Sequence, residues 1–256
     1  MQKYIRNFMR YRFLLKELVK KDIKLKYRRS VLGLFWTLLE PLLTTCVLAF
    51  VFGTLKSKGD YAFPVYILTG RLMYTYFSNS TKSAMKSIRS NAAMIKKVYV
   101  PKYIYPLSAV ISNFITFLLS LIVLVGAMLV LKVEPTLYLF GAVIPLVLLF
   151  IMAFGAGMIL ATIAVFFRDM EYLWGVALML IMYCSAIFYA PETLGANEWV
   201  LHLNPLYCLI ENFRAAVYGI PFNMESLGYA AVVSVVSVVA GVGLFMKQQD
   251  KFILNI

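Results

Sequence analysis

Residues 139–167 read LFGAVIPLVLLFIMAFGAGMILATIAVFF and contain no charged side chain. An α-helix rises about 1.5 Å per residue, so roughly 20 apolar residues cross the hydrocarbon core of a bilayer. The chain of 256 residues is 62% hydrophobic and 14% charged, whereas a soluble domain is about half apolar. The stretch and the composition together predict an all-α membrane protein.

Six stretches of the chain are predicted as transmembrane helices, with polar or basic segments between them. Their bounds are 34–55, 63–80, 105–131, 139–167, 172–190 and 227–246. The second stretch is the most polar, because it holds Arg71, Asn79 and several hydroxyl groups. We expect it to face protein or a water-filled path rather than lipid.

The distribution of charge predicts the orientation. Most of the 25 lysines and arginines fall in 1–33 and 82–102, next to the inner ends of predicted spans. Because cytoplasmic loops of membrane proteins carry the excess of Lys and Arg, both termini are predicted to be cytoplasmic. Basic residues that flank spans contact lipid head groups, so we expect membrane lipids and no nucleic acid as partners.

Three segments outside the spans have patterns of their own. In 1–33, apolar residues recur at helical spacing among basic ones, which predicts an amphipathic helix along the inner membrane face. This helix is either an ordinary anchor or a docking site. The loop 81–104 has no acidic residue and can form a helix at 83–95, and its charge either sets topology or contacts a cytoplasmic subunit. The outer region 190–226 is aromatic but broken by proline, which predicts short re-entrant helices before the last span of the domain 34–256.

Motifs for catalysis and nucleotide binding are absent from the sequence. It has no GxxxxGK[ST], HExxH, GxSxG or GxGxxG. Cys46, Cys184 and Cys208 lie far apart, so neither a metal site nor a disulfide framework is predicted. His202 fits an interfacial polar residue better than a catalyst. We therefore expect a chain that is not an enzyme and holds no cofactor.

Glu40 and Arg71 are the strongly ionisable residues well inside predicted spans. A charge at that depth is costly unless it is paired or used, so each is a candidate functional residue. We hypothesise that they pair, either across spans or across subunits. Arg71 alternatively contacts a phosphate or an acidic sugar, or extends to the outer head groups.

Several segments resemble the permeases of polysaccharide-export ABC transporters, the type-2 ABC exporters of O-antigens, capsules and teichoic acids. They occur in the order typical of that family and cover nearly the whole chain. They are YRRSVLGLFW (27–36), EPL (40–42), FSNS (77–80), SNAAMIKKVYVP (90–101), FRDM (167–170), IFYAPE (187–192), LNPL (203–206) and ENFR (211–214). Arg71 directly after Gly70 departs from the family, which usually has an apolar stretch there.

The resemblance implies half of an ATP-driven exporter in the bacterial inner membrane. Two copies of the chain would pair as a homodimer with two copies of a separate ATPase, which would bind ATP and Mg. The helix at 1–33 would rest on the ATPase, and the outer region would gate the exit for a lipid-linked glycan. The residues implied to couple to the ATPase are Lys86, Arg89, Asn91, Lys96 and Lys97.

Residues for contact with the glycan are predicted from chemistry, because sugar rings stack on aromatic faces. The predicted channel residues are Trp36, Arg71, Tyr74, Tyr76, Phe77, Tyr183, Phe188 and Tyr189. Arg28 and Arg29 precede the first span and are predicted to attract the lipid head group. Three rival functions stay open: a small-molecule or drug exporter of the same superfamily, a stand-alone secondary transporter, and a membrane-embedded transferase.

Overall fold

The computed structural model describes residues 2–28, 30–53, 63–97 and 100–255. Within these ranges the chain is helical and has no β-strand, which confirms the predicted class. The α-helices are α1 (Gln2–Tyr27), α2 (Trp36–Gly53), α3 (Phe63–Ser90), α4 (Ala92–Lys97), α5 (Ile104–Val130), α6 (Val143–Phe166), α7 (Met170–Tyr183), α8 (Trp199–His202), α9 (Pro205–Tyr218), α10 (Met224–Gln248) and α11 (Phe252–Asn255).

Four helical segments of the described chain are long and apolar enough to cross a membrane. They are Gly33–Val51, Ile104–Val130, Leu137–Phe166 and Met224–Asn255, and they coincide with the first, third, fourth and sixth predicted spans. The fifth predicted span contains a shorter apolar helix, Met170–Tyr183. The second lies in α3, whose polar residues keep its hydropathy low, so the count of six spans stays a prediction.

The inner end of α3 differs from the prediction of a span ending at 80 and a separate helix at 83–95. The structure has one continuous helix to Ser90, followed by the short helix α4. The residues between have no helix breaker, and Ala84, Met85 and Ile88 continue the buried face of α3. The helix therefore carries its packing past the predicted boundary.

The predicted span 172–190 is also corrected, because α7 ends at Tyr183. Residues 184–190 form a turn in which Ala186 has a φ of 43°. Partners from other helices bind the carbonyl groups that this break frees: Tyr66 Oη donates to Ala186 O at 2.9 Å, and Asn204 Nδ2 donates to Cys184 O at 3.0 Å. The turn is thus a structured part of the fold.

The outer region contains the helical segments that its sequence predicts. A 3-10 segment at Pro191–Asn197 leads to α8, and α9 follows. Asn204 caps α9 by accepting from Leu206 N at 3.0 Å, Pro205 occupies its first turn, and Gly219 ends it with a φ of 71°. Most of α9 is buried against other helices, and its depth in a membrane stays a prediction.

The packing centres on α3, which contacts α2, α5, α6, α7 and α9. Tyr76 of α3 stacks on Phe117 of α5 with ring centroids 5.0 Å apart. Phe114 adds an edge contact with Tyr76 at 5.4 Å and a second with Phe150 of α6 at 5.1 Å. This aromatic cluster joins three helices in the principal core.

Two glycines let α6 and α10 approach backbone to backbone. A Cβ at Gly241 would lie 2.5 Å from the carbonyl oxygen of Gly155, and one at Gly155 would lie 2.5 Å from the backbone of Ser237. Small residues at helix interfaces allow such close packing in membrane proteins. The position of α10 therefore depends on the absence of these two side chains.

We expect Gly241→Ala to destabilise the protein by roughly 1–3 kcal/mol, the scale of an overpacked core. Gly243→Ala is the matched control, since a Cβ there meets no atom within 4 Å. Alanine favours a helix over glycine by about 1 kcal/mol, so the control should be neutral or stabilising. Thermal unfolding in detergent measures both variants, and equal losses would contradict the close approach.

Candidate functional site

Three helices turn polar residues toward one cavity of about 70 Å³. On each helix these residues recur three or four positions apart, so they form a stripe on one face. The stripes are Thr37, Glu40 and Thr44 on α2, Arg71, Thr75 and Asn79 on α3, and Asn113, Thr116 and Ser120 on α5. Lys26 of α1 also lines this cavity, which we call the upper cavity.

A second, wider cavity of about 440 Å³ lies between α1, α3 and α5. Its polar lining includes Asp22, Lys26, Asn79, Lys82, Ser83, Lys86, Ser87, Ser112 and Asn113. Lys26, Asn79 and Asn113 line both cavities, so the two adjoin. We call the two together the polar cleft. It extends from the level of Arg71 to the basic inner end of α3.

The charges in the polar cleft are only partly paired. Glu40 and Arg71 line the same cavity, yet neither forms an ion pair with any residue that the structure describes. The hypothesis of a direct Glu40–Arg71 pair within one chain is therefore not supported by the described contacts. Arg71 faces this cleft, so extension to the outer head groups is not needed to account for it.

Two of the ionisable residues that α1 contributes to the cleft, Asp22 and Lys26, have pKa values shifted by burial. Burial lowers the pKa of Lys26, and the charge of Glu40 partly opposes that shift. Burial raises the pKa of Asp22, and the charge of Lys21 and a hydrogen bond from Ser108 Oγ at 3.4 Å oppose it. Both shifts have the direction expected for partial loss of hydration, although Lys26 is exposed and Asp22 is half-buried.

The predicted channel aromatics occupy two kinds of environment. Tyr76 and Phe77 are 2% and 5% exposed, and they belong to the core. Trp36 and Tyr183 are 40% and 54% exposed, at the start of α2 and the end of α7. Phe188 is half-buried, as is Tyr189, whose hydroxyl donates to Tyr183 O at 2.6 Å. The structure thus does not bring all of them to one surface.

A series of polar contacts joins α3 to α7 along the length of α7. Tyr74 Oη donates to Leu178 O at 3.0 Å, and Trp174 Nε1 donates to Thr81 Oγ1 at 3.0 Å. At the inner end, Glu171 forms an ion pair with Lys86 at 2.9 Å. Arg89 Nη1 lies 3.9 Å from the same carboxylate. Two of the predicted coupling residues are therefore bound to α7.

The other predicted coupling residues surround α4. Asn91 Oδ1 accepts from Lys21 Nζ of α1 at 2.8 Å, while Asn91 Nδ2 donates to Ser87 O at 2.8 Å. Buried Ile95 holds α4 against the protein, and Lys96 and Lys97 are exposed. This corner therefore leaves two lysine side chains exposed.

Arg28, one of the two predicted head-group residues, lies next to the cleft. Arg28 is exposed and lines a cavity of about 430 Å³ with Leu25, Lys26 and Ser30. Arg29 lies outside the described residues. Because Lys26 lines this cavity and the polar cleft, Arg28 stands beside an opening of the cleft.

Arg214 is a buried residue whose structural role was not predicted from the sequence. It is 6% exposed, and its Nη2 donates to Tyr66 O and Ala186 O at 3.1 Å each. Its guanidinium carbon lies 3.4 Å from the centre of the Tyr66 ring. Gly70 provides the space for this guanidinium, because a Cβ at residue 70 would lie 2.6 Å from Arg214 Nη2. The sequence feature that could have indicated this burial is the position of Arg214 among the apolar residues of 205–218.

Comparison with known proteins settles the family. Residues 14–218 match the profile described as "ABC-2 type transporter". The chain belongs to the ABC-2 type transporter family. It is 30% identical to an O-antigen export system permease protein RfbA of Klebsiella pneumoniae, over 93% of each chain. It is also 30% identical to the protein of that name from Myxococcus xanthus over 98% of each, and 24% identical to the polysialic acid transport protein KpsM of Escherichia coli over 92% of this chain and 93% of KpsM.

For this ABC-2 transporter chain, we expect Arg214→Lys to lower stability by about 1–3 kcal/mol. Lysine keeps the charge but not the planar group that contacts two carbonyls and a ring at once. The matched control is Arg168→Lys at an exposed arginine, where a change within about 0.5 kcal/mol is expected. Thermal unfolding of both purified variants measures the change in stability. An Arg214→Lys protein as stable as the wild type would show that the buried guanidinium is dispensable.

Proposed function

We propose that this chain is the membrane-spanning subunit of an exporter that moves a lipid-linked polysaccharide from the cytoplasm across the bacterial inner membrane. The observation that carries the proposal is similarity over almost the full chain to relatives named for O-antigen export and polysialic acid transport. The lining of the polar cleft, rich in hydroxyl and amide groups, suits polar cargo better than the apolar drugs of the rival reading.

Membership of the ABC-2 family implies a separate ATPase partner, and the rest of the assembly is part of our proposal. Two copies of the chain form a homodimer with two ATPase subunits, which bind ATP and Mg. Each chain has six spans, with α3 and α7 as the second and fifth, and both termini in the cytoplasm. The four segments long enough to cross a membrane support this arrangement.

The dimer interface in this proposal involves α2 and α7. Both helices expose apolar side chains, among them Val47 and Phe50 on α2 and Val176 and Leu180 on α7. Glu40 is also exposed on α2 and Thr44 is half-buried one turn further on, which gives that helix a polar edge. Two copies that pair along these helices would enclose a path with mixed polar and apolar walls.

The exposed aromatics at the ends of that path are the proposed sugar contacts. Trp36 lies at the inner end of α2 and Tyr183 at the outer end of α7, each with an exposed ring. Phe188 and Tyr189 follow in the outer turn. Rings at these positions guide a glycan through C–H contacts without binding one sugar tightly. Tyr76 and Phe77, in contrast, support the path from the core.

Coupling to the ATPase begins at the α3–α4 corner. We expect Lys96→Glu/Lys97→Glu to weaken the complex with the ATPase encoded beside this chain by roughly tenfold or more, because like charges at an interface cost several kcal/mol. Lys247→Glu/Lys251→Glu is the matched control, an equal change of charge at two exposed lysines. Co-purification and ATPase rates measure the effect, and intact binding in the first variant would refute the assignment of this corner.

Transmission from that corner to the outer turn uses the ion pair between α3 and α7. Lys86→Glu and Glu171→Lys should each lower export, and the double exchange should restore it. Exposed ion pairs contribute at most about 1 kcal/mol, so the fold should tolerate each change. Export of labelled glycan by reconstituted complexes is compared with ATP hydrolysis, and Lys247→Glu serves as the control. A double variant no better than the single ones would argue against the contact as the link.

A further inference from the structure

We propose that the polar cleft within one protomer binds the phosphate-bearing head group of the lipid-linked glycan. The proposal rests on the proposed function, and it adds a binding site formed by α1, α2, α3 and α5 of the same chain. The ligand class is a lipid phosphate or pyrophosphate with a polar sugar attached. The contacts that argue for it are independent of the dimer.

The first argument is the balance of charge. The lining holds Lys26, Arg71, Lys82 and Lys86 against Asp22 and Glu40. Lys86 is neutralised by Glu171, whereas the other three basic residues form no ion pair with a described residue. Arg71 lies inside the second predicted span, where an unpaired cation marks a functional site. A phosphate between Lys26 and Arg71 would supply the missing counter-charge.

The second argument is a buried hydroxyl without a partner. Tyr105 is 0% exposed and lines the wider cavity. Its hydroxyl oxygen has no hydrogen-bond partner within the described residues. A buried donor of this kind costs about 1–3 kcal/mol when it is left unsatisfied. Tyr105 lies eight residues before Asn113 on α5, about 12 Å along the helix, so its partner in the wider cavity is an oxygen of the sugar attached to the phosphate.

The third argument is size and access. The wider cavity of about 440 Å³ falls within the range of roughly 300–1,000 Å³ typical of small-ligand sites. The cavity beside Arg28 shares Lys26 with it, so basic side chains line a route from the inner membrane face into the cleft. A lipid head group can follow this route while its tail stays outside the protein, in the bilayer.

The carboxylates define where the anion sits. Glu40 lies in the upper cavity with Arg71 and would repel a phosphate placed against α2. The Lys82 side of the cleft has Asp22 as its acidic neighbour. The phosphate is therefore assigned to the junction of the two cavities, near Lys26, Asn79 and Asn113, with Arg71 above it.

The test measures binding of radiolabelled polyprenyl pyrophosphate to the complete complex in nanodiscs. Arg71→Gln and Lys26→Gln should each weaken binding roughly tenfold or more, the scale of one charge-assisted hydrogen bond. Asn79→Asp adds a repelling carboxylate with little change in volume and should weaken binding as well. Arg71→Lys retains the charge and should keep most of the affinity. Lys247→Gln, outside the cleft, should bind as the wild type does.

Three controls identify the ligand chemistry. Polyprenol without phosphate should bind at least tenfold more weakly, and inorganic pyrophosphate should compete only weakly. Equal binding of polyprenol would overturn the phosphate assignment. Inorganic pyrophosphate binding as tightly as the lipid would overturn the lipid source. Unchanged affinity in Arg71→Gln, Lys26→Gln and Asn79→Asp would place the site elsewhere.

Export and complex formation are measured in the same preparations, so that the two proposals fail separately. If the complex exports glycan but the cleft variants bind the lipid as tightly as the wild type, the proposed binding site in the cleft is wrong and the proposed function is retained. Wild-type chain that neither binds an ATPase nor exports glycan would overturn the function. Binding of polyprenyl pyrophosphate that depends on Arg71 would still support the cleft.

Discussion

A helix that carries polar side chains through an apolar layer must find partners for each of them, and in the proposed six-span arrangement α3 is such a helix. Its 28 residues include tyrosines, threonines, Arg71 and Asn79. Lipid offers no hydrogen bonds, so these groups must face protein, water or ligand. The surrounding helices are arranged accordingly: α7 supplies hydrogen-bond partners along one side of α3, and α2 and α5 add their own polar stripes along another.

The same constraint accounts for the break after α7. Ending a helix inside an apolar layer frees carbonyl groups, which is costly unless other residues bind them. Here Tyr66 and Arg214 donate to Ala186 O, and Asn204 donates to Cys184 O. Arg214 needs Gly70 beside it to reach this position. One buried guanidinium therefore ties α3, the turn after α7 and α9 into a single unit at the outer end.

Sequence reasoning predicted the features that follow from hydropathy and periodicity. The apolar runs gave the four segments able to cross a membrane, and spacing gave the helix at 1–33, seen as Gln2–Tyr27. The predicted ends of α3 and α7 were wrong. Hydropathy indicates which residues suit a lipid environment, whereas the point where a helix ends depends on its packing.

The candidate site could be predicted only in part, for a related reason. Glu40 and Arg71 stood out as charges inside spans, and Asn79 was noted as polar. Thr116 and Ser120 of α5 did not stand out, since a hydroxyl every few residues is ordinary in a membrane helix. That these stripes share one cavity depends on which helices are neighbours, and periodicity within each helix carries no such information. The burial of Arg214 was not predicted, because a burial site for a charge is created by residues distant in sequence.

The polar cleft and the contacts with α7 lie on different sides of α3. At about 100° per residue, Arg71, Thr75 and Asn79 share one face. Tyr74 and Thr81 lie about 100–120° around the helix from the centre of that face, and Tyr66 lies about half a turn away. The first set lines the polar cleft and the second is bound to α7 or to the turn after it. Lys86 lines the cleft and also binds Glu171, so it belongs to both. A displacement of the inner end of α3 would thus alter the cleft and shift α7 in one movement, which is what coupling cargo binding to opening requires of a rigid element.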